Sequence, residues 1–268
     1  MLYPVLAELG RFELRTHDVC VACGILVAGL VFGAQVRRRA RLGRPVDDRI
    51  WVVVAGALVG GALLSRLGTW LQHLDLRDNA TLVEQWLYGS RSILSGLVGA
   101  YVGALLAKRL CGYPGRTGDL FAPSVAIGMA VGRVGCLLSE LPGTPTALPW
   151  GVTLSPAEAA QVPGGLAGVP LHPSFLYEIA FHLLAFVVLL WLRDRMTVAD
   201  EGELLTLYLI WYAVFRFAVE FVRGNAAVAA GLTRPQLFLL ACAPLAVWHA
   251  VRRRRACAAA RYRTEINA

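Results

Sequence analysis

The sequence predicts an all-α, polytopic membrane protein with about seven transmembrane helices. Of its 268 residues, 57% are hydrophobic and only 16% are charged, whereas soluble domains carry about 25% charged residues. Apolar runs of about 20 residues, the length that crosses a bilayer as a helix, recur along the chain. We therefore expect a single transmembrane domain over residues 1–268.

Seven apolar runs are long enough to span a membrane. They lie near residues 18–36, 51–70, 93–110, 119–139, 174–192, 203–222 and 234–251. The fourth run is rich in small residues, which membrane helices tolerate and which allow close packing. The longest segment between runs, near residues 140–172, is rich in proline and glycine, and we expect little regular helix in it.

The basic residues between the runs predict the orientation. The segments that follow the first, third, fifth and seventh runs hold 17 of the 26 basic residues, and with seven spans they all lie on one side. The positive-inside rule assigns that side to the cytoplasm. We therefore expect the N-terminus and the loop near 140–172 outside and the C-terminus in the cytoplasm. Because topology and anionic lipid account for the net charge of +8, no nucleic-acid partner is expected.

Three arginines lie inside the apolar runs, namely Arg66, Arg133 and Arg216. An arginine at the bilayer centre costs about 2.5–3.5 kcal/mol on insertion scales, so each needs a partner or a function. The directions of the runs place all three in the outer half of the membrane. Tyr212, Arg216 and Glu220 recur at every fourth residue and share a helix face. Arg133 has no acid one turn away, so its partner must come from another helix or from a ligand.

Clustered guanidinium groups at that depth point to a lipid phosphate. Arginine binds phosphate in a bidentate manner and keeps its charge in a low dielectric. These residues alone leave open an enzyme, a transporter, a lipid-binding protein, and purely structural ion pairing or snorkelling of the arginines. The sequence shows no metal-ligand spacing and no nucleotide-binding loop, so we expect neither a metal nor a cofactor.

Four stretches, taken in order, resemble one enzyme family. They are SGLVG (95–99), GRVGCLLSE (132–140), LHPSFLYE (171–178) and YAVFRFAVEFVR (212–223). They are similar to motifs of the prolipoprotein diacylglyceryl transferases, which are bacterial inner-membrane enzymes with seven spans. The resemblance implies transfer of the diacylglyceryl group of phosphatidylglycerol to the lipobox cysteine of a preprolipoprotein, with release of glycerol phosphate. It also implies an active site toward the outer leaflet.

The resemblance implies roles for individual residues. Arg133 and Arg216 correspond to the two essential arginines of the family, and Tyr212 and Glu220 to residues that support Arg216. Further candidates for substrate binding are Arg66, Ser95, Gly96 and His17. Tyr177 and Glu178 are interpreted mainly as packing and helix-start residues, and His182 as incidental.

The chain also departs from the family pattern. Leu94 stands where the family has a histidine that is a candidate base for the cysteine thiol. His17 replaces a tyrosine, Cys136 replaces an asparagine, and the acid Glu140 comes one residue early. The candidate replacement bases are His172, His17 and Glu140. Two alternatives therefore stay open: a diverged paralogue acting on another lipid or acceptor, and a non-catalytic phospholipid-binding protein. The sequence does not predict an oligomeric state.

Overall fold

A computed structural model describes residues 2–9, 12–72, 92–195 and 202–266 of the chain. Within these ranges the protein is mostly helical. The helices are α1 (Thr16–Arg41), α2 (Ile50–Gln72), α3 (Ile93–Cys111), α4 (Gly118–Ser139), α5 (Pro156–Ala159), α6 (Ser174–Arg193), α7 (Glu203–Val219) and α8 (Arg234–Ile266). The strands form three short antiparallel pairs: β1 (Val5–Leu9) with β2 (Phe12–Arg15), β3 (Val152–Thr153) with β4 (Pro170–Leu171), and β5 (Ala227–Ala229) with β6 (Leu232–Thr233).

Six helical segments of the described residues are long and apolar enough to cross a membrane. They are Thr16–Arg41, Ile50–Gly68, Ile93–Cys111, Gly118–Ser139, Ser174–Arg193 and Glu203–Val222. Each coincides with one of the first six predicted runs, which confirms the fold class. The seventh run, 234–251, lies within α8 but is not among these six segments, so the count of seven and the orientation stay predictions. Large apolar side chains such as Leu30 and Leu184 are exposed on these helices, as expected of a lipid-facing surface.

The chain forms two compact units, one of Met1–Arg37 with Arg116–Ala268 and one of Arg38–Gly115. The expectation of a single domain stays a prediction. In the smaller unit, α2 and α3 pack as an antiparallel pair through glycines. A Cβ on Gly103 would collide with the carbonyl oxygen of Gly56, and one on Gly99 with that of Gly60. The two backbones therefore touch because no side chains separate them.

In the larger unit, α4, α6 and α7 share a core in which small residues of α4 face larger ones. The core consists of Ala122, Ala126, Ala185, Leu189, Leu204 and Tyr208. Asp119, in the first turn of α4, accepts hydrogen bonds from the backbone N–H groups of Gly202 at 2.7 Å and Leu204 at 3.2 Å. It therefore caps the start of α7, where carboxylates are favoured. Helices α4 and α7 thus begin at one end of the unit, and their last turns meet the first turns of α6 at the other end.

The start of α1 is fastened to the last turn of α4. The backbone N–H of Tyr3 donates to the carbonyl oxygen of Leu138 at 2.6 Å, and that of Thr16 donates to Pro4 at 3.1 Å. Farther along, α1 meets α4 at two glycines, because a Cβ on Gly24 would lie 2.7 Å from the carbonyl oxygen of Gly128. The segment that carries His17 is thereby held beside the last turn of α4, at the end of the larger unit where α6 begins.

The loop 140–172 contains only the β3–β4 pair and the single turn α5 as regular elements, which confirms the expectation of little helix. A small apolar cluster supports it, made of Leu2, Leu154, Ala159, Val162 and Leu171. Ser155 and Glu158 form a capping box at α5. Hydrogen bonds from the backbone N–H and the hydroxyl of Ser155 lower the pKa of Glu158 to about 2.

Candidate active site

Arg133 and Glu178 form the centre of a buried charge network in the larger unit, at the end where α6 begins. Arg133 of α4 is 3% exposed, and its Nη2 pairs with Oε2 of Glu178, a fully buried residue of α6. The other carboxylate oxygen of Glu178 accepts a hydrogen bond from Arg223, which follows α7. Arg133 thus finds its counter-ion on another helix, one of the two sources that the sequence allowed.

The remaining donors of Arg133 are only partly used. Its Nη2 lies 3.4 Å from the hydroxyl of Tyr212, and its Nη1 lies 3.7 Å from the sulfur of Cys136. Its Nε is buried and has no hydrogen-bond partner among the described residues. A buried N–H without an acceptor costs about 1–3 kcal/mol, so this position favours an incoming oxygen acceptor.

The predicted pair of Arg216 and Glu220 is present and buried. Glu220 begins the 3₁₀ turn Glu220–Val222 that follows α7. Its other oxygen, Oε1, accepts from Asn225 Nδ2 at 2.6 Å and from Thr233 Oγ1 at 2.9 Å. These bonds connect Glu220 at the end of α7 to Asn225 and to Thr233 just before α8, and they position the carboxylate of Glu220 next to Arg216.

Arg223 joins the network although no site role was predicted for it. Its side chain is 13% exposed and packs over the ring of Phe175, with 4.4 Å from Cζ to the ring centroid. Its Nη2 lies 3.6 Å from a carboxylate oxygen of Glu140. Burial lowers the pKa of Arg223, and so do the charges of Arg133 and Arg216, while Glu178 and Glu140 raise it. The three arginines therefore belong to one electrostatic cluster.

The rings of His182, Tyr208 and Tyr212 pack together next to these charges. Nδ1 of the buried His182 is 3.0 Å from the hydroxyl of Tyr208, and its ring centroid is 4.8 Å from that of Tyr212. His182 therefore contacts the residues next to the charge network, and its interpretation as incidental to function stays a prediction. The sequence signal for this position was its spacing, because His182 follows Glu178 by four residues and shares its helix face.

Other predicted residues have contacts of their own. Nδ1 of His172 lies 3.3 Å from the hydroxyl of Tyr177, and that hydroxyl accepts a hydrogen bond from Nε1 of Trp150 at 2.8 Å. A catalytic role for His172 stays a prediction. The substrate-binding candidates Arg66, Ser95 and Gly96 lie on α2 and α3 of the smaller unit.

Ser95 and Gly96 have local structural contacts. The hydroxyl of Ser95 is 3.1 Å from that of Ser92 at the start of α3. A Cβ on Gly96 would lie 3.2 Å from Cβ of Ser65, so Gly96 allows close packing there. Their substrate-binding roles, like that of Arg66, stay predictions.

His17, Cys136 and Glu140 form a second group at the same end of the unit. Their ligand atoms all lie within 4.8 Å of one another. Cys136 is buried, whereas the side chains of His17 and Glu140 are 34% and 43% exposed. This group touches the charge network twice, through Arg133 to Cys136 and through Arg223 to Glu140.

The chain is similar to proteins of one known family. The family model of prolipoprotein diacylglyceryl transferase matches residues 4–252. The phosphatidylglycerol–prolipoprotein diacylglyceryl transferase of Mycobacteroides abscessus is 32% identical over 247 residues, covering 86% of this chain and 71% of that protein. The enzyme of the same name from Bifidobacterium longum is 30% identical over 236 residues, covering 81% and 73%.

A mycobacterial relative is longer. The Mycobacterium tuberculosis protein of that name is 31% identical over 239 residues, which are 82% of this chain and 49% of that protein. The chain thus spans about half the length of this relative. With the match over nearly its whole length, the chain belongs to the prolipoprotein diacylglyceryl transferase family.

Proposed function

We propose that this protein transfers the diacylglyceryl group of phosphatidylglycerol to the lipobox cysteine of a preprolipoprotein. One observation carries the proposal. Among the described residues, three arginines whose side chains are at most 13% exposed contact two fully buried glutamates, Glu178 and Glu220. The third carboxylate, that of Glu140, lies 3.6 Å from Arg223 and is 43% exposed to solvent. The fully buried part of the network therefore has one more positive charge than negative, and a phosphodiester monoanion has the charge that would neutralise it.

The unpartnered Nε of Arg133 gives this anion a place. A phosphate oxygen there would satisfy a donor that has no acceptor among the described residues. Arginine presents its N–H groups as a rigid fork that matches phosphate oxygens. Arg133 is buried, and hydrogen bonds to a charged group are strongest where water is excluded. The names of the relatives, which specify phosphatidylglycerol and prolipoprotein, support the same substrates.

The arrangement suits a displacement at carbon. The acceptor cysteine loses its proton to a base or to water, and its sulfur attacks the glyceryl carbon that carries the phosphate. A carbon–sulfur bond forms, the carbon–oxygen bond breaks, and glycerol phosphate leaves with the electron pair. Because negative charge grows on the leaving phosphate, fixed guanidinium groups stabilise the transition state more than the ground state.

The proposed location is the cytoplasmic membrane of a bacterium, with the site toward the outer leaflet. The positive-inside distribution supports this orientation. In that orientation the last turns of α4 and α7, which bear Arg133 and Arg216, lie near the outer headgroups.

The test uses the purified protein in vesicles of phosphatidylglycerol with a synthetic lipobox peptide. We expect release of glycerol phosphate and a matching gain in peptide mass. A peptide with serine in place of cysteine and vesicles of phosphatidylethanolamine serve as controls. No release with both substrates would overturn the proposal, and binding of lipid without turnover would favour a phospholipid-binding protein. Turnover only with another lipid or acceptor would favour a diverged paralogue.

A further inference from the structure

Buried polar atoms without a hydrogen-bond partner cluster along one face of α6. Among the described residues, the buried side-chain atoms of this kind are Arg133 Nε, Ser174 Oγ, Glu178 Oε2 and His182 Nε2. Glu178 Oε2 has its ion pair with Arg133. One face of α6 carries Ser174, Glu178 and His182 at intervals of four residues, and each of them is fully buried. Because native proteins leave few such atoms unpaired, their concentration at one site points to a ligand.

Tyr208 determines which nitrogen of His182 carries the proton. The Tyr208 hydroxyl is 3.0 Å from Nδ1 of His182 and has no other hydrogen-bond partner among the residues that the structure describes. In a neutral imidazole one nitrogen donates and the other accepts. If Tyr208 donates to Nδ1, only the Nε2–H group stays unpaired, whereas the opposite arrangement leaves both Nε2 and the tyrosine O–H unpaired. Because each unpaired buried group destabilises the fold, we assign the proton to Nε2.

His182 lies one helical turn deeper in the bundle than the buried ion pair. Helix α6 begins at Ser174, at the end that holds the charge network, and four residues of α-helix span about 6 Å. His182 is therefore about 6 Å farther from that end than Glu178. Its ring centroid is 4.8 Å from that of Tyr212, whose hydroxyl is 3.4 Å from Nη2 of Arg133. The histidine and the arginine thus contact the same tyrosine, one at its ring and the other at its hydroxyl.

A glycerophospholipid has hydrogen-bond acceptors at matching depths. The layer between its phosphates and the hydrocarbon core of a bilayer is about 5–7 Å thick, and the ester carbonyls lie at the inner boundary of that layer. With a phosphate oxygen at Arg133, the acyl chains extend along α6 toward the membrane interior, and an ester carbonyl comes to the depth of His182. A carbonyl oxygen accepts hydrogen bonds and cannot donate them, so it suits the Nε2–H group.

We propose that Nε2 of His182 donates a hydrogen bond to an ester carbonyl of the bound lipid and thereby selects diacyl over dialkyl substrates. This role rests on the proposed function and concerns the part of the lipid that is transferred. A dialkyl ether lipid has the same headgroup and the same reacting carbon but no carbonyl, so the Nε2–H group stays unpaired in its complex. An unpaired buried donor should weaken binding of the ether lipid about tenfold. The interpretation of His182 as incidental is replaced by a role in specificity.

The first experiment measures binding apart from turnover. Diacyl and dialkyl phosphatidylglycerol with chains of equal length are titrated separately onto the full-length protein in detergent, without peptide. We expect the diacyl lipid to bind about tenfold more tightly. Equal dissociation constants would show that another group, such as a buried water, already satisfies the Nε2–H group, and they would overturn the proposal.

The variant that tests the contact is His182→Asn. The asparagine amide can accept from Tyr208 in place of Nδ1 but has no group at the position of Nε2, so the preference for diacyl lipid should fall to within about twofold. Leu189→Ala is the matched control, because Leu189 is a fully buried core residue two turns farther along α6. It should melt at a lower temperature yet keep a preference of about tenfold, since distant substitutions act independently. A preference that survives His182→Asn, or that Leu189→Ala also removes, would overturn the proposal.

Turnover of the same two lipids separates this proposal from the proposed function. With the lipobox peptide present, the diacyl lipid should release glycerol phosphate with a kcat/KM about tenfold higher than that of the dialkyl lipid. Equal values of kcat/KM for the two lipids would overturn the ester contact and leave the proposed function intact. Tighter binding of the diacyl lipid that His182→Asn removes, without any release of glycerol phosphate, would support the contact and contradict the proposed function.

Discussion

Arg133 of α4 and Glu178 of α6 form a buried ion pair, with 3% and 0% of their side chains exposed. The pair joins two helices and faces a second arginine, Arg223, across the same carboxylate. Removing one partner of a buried pair costs about 3–5 kcal/mol because the other charge stays uncompensated. The pair therefore contributes to the packing of the bundle and also orients the guanidinium toward the proposed phosphate.

Arg133→Ala should abolish transfer of diacylglycerol to the peptide. Removing one group that stabilises developing negative charge lowers kcat by about 10²–10³-fold, and this variant also leaves Glu178 with Arg223 alone. Arg133→Lys should remain strongly impaired, because a point charge does not reproduce the planar fork. Release of glycerol phosphate measures the effect.

The matched control is Arg195→Ala, which removes an exposed arginine that stacks on Trp191 beyond the other end of α6. The Arg195→Ala protein should transfer diacylglycerol at a rate within about twofold of that of the unchanged protein, because surface substitutions usually have small effects. Wild-type turnover by Arg133→Ala would contradict the assigned role.

Glu178→Gln should lower the stability of the fold, although the side chain keeps nearly the same shape. The amide is nearly isosteric but carries no charge, so Arg133 would lose its counter-ion and Arg223 would keep only the partly exposed Glu140, 3.6 Å away. We expect a loss of about 3 kcal/mol or more in the free energy of unfolding, measured by thermal unfolding in detergent. Glu203→Gln, on α7 at the opposite end of the bundle, is the control; equal stability of both variants would count against the bridging role.

Tyr208→Phe should destabilise the larger unit by about 1–3 kcal/mol, because it leaves Nδ1 of the buried His182 without its partner. The two groups are 3.0 Å apart, and both residues are fully buried. Thermal unfolding in detergent measures this loss. Tyr113→Phe, which keeps the ring beneath Lys108, should change the stability by less than about 0.5 kcal/mol. A Tyr208→Phe protein as stable as the original would show that the bond contributes nothing.

Gly60→Ala should separate α2 from α3, because the added Cβ would meet the backbone of Gly99. Gly29→Ala is the matched control, since a Cβ on Gly29 of α1 has nothing within 4 Å. The first variant should unfold at a lower temperature, and the second should be neutral or stabilised by the helix propensity of alanine. Identical melting of the two variants would contradict the packing described for this pair.

Much of the helical framework could be predicted because each span has its own apolar signal. The first six runs coincide with helices of the structure, and the spacing of Arg216 and Glu220 predicted a pair that is present. These features are local. A run of apolar residues or an interval of four residues is contained in one helix, so sequence alone reveals it.

The partners of the charges were harder to predict because they come from distant parts of the chain. Glu178, interpreted as a packing residue, is the counter-ion of two arginines on other segments. His17 lies close to Cys136 because Gly135 has no side chain to separate α1 from α4. No spacing of residues in the sequence reveals that contact. Such contacts depend on how helices cross, which periodicity along one helix does not encode.

The distance along the chain between Arg133 and Glu178 sets an order of events during synthesis. The arginine leaves the ribosome about 45 residues before its counter-ion, which corresponds to several seconds at about 5–20 residues per second. During that interval α4 carries an uncompensated cation whose insertion costs about 2.5–3.5 kcal/mol. We therefore expect the integration of α4 to become more stable once α6 has followed, and a nascent chain that stops short of α6 to hold its fourth helix less firmly in the membrane.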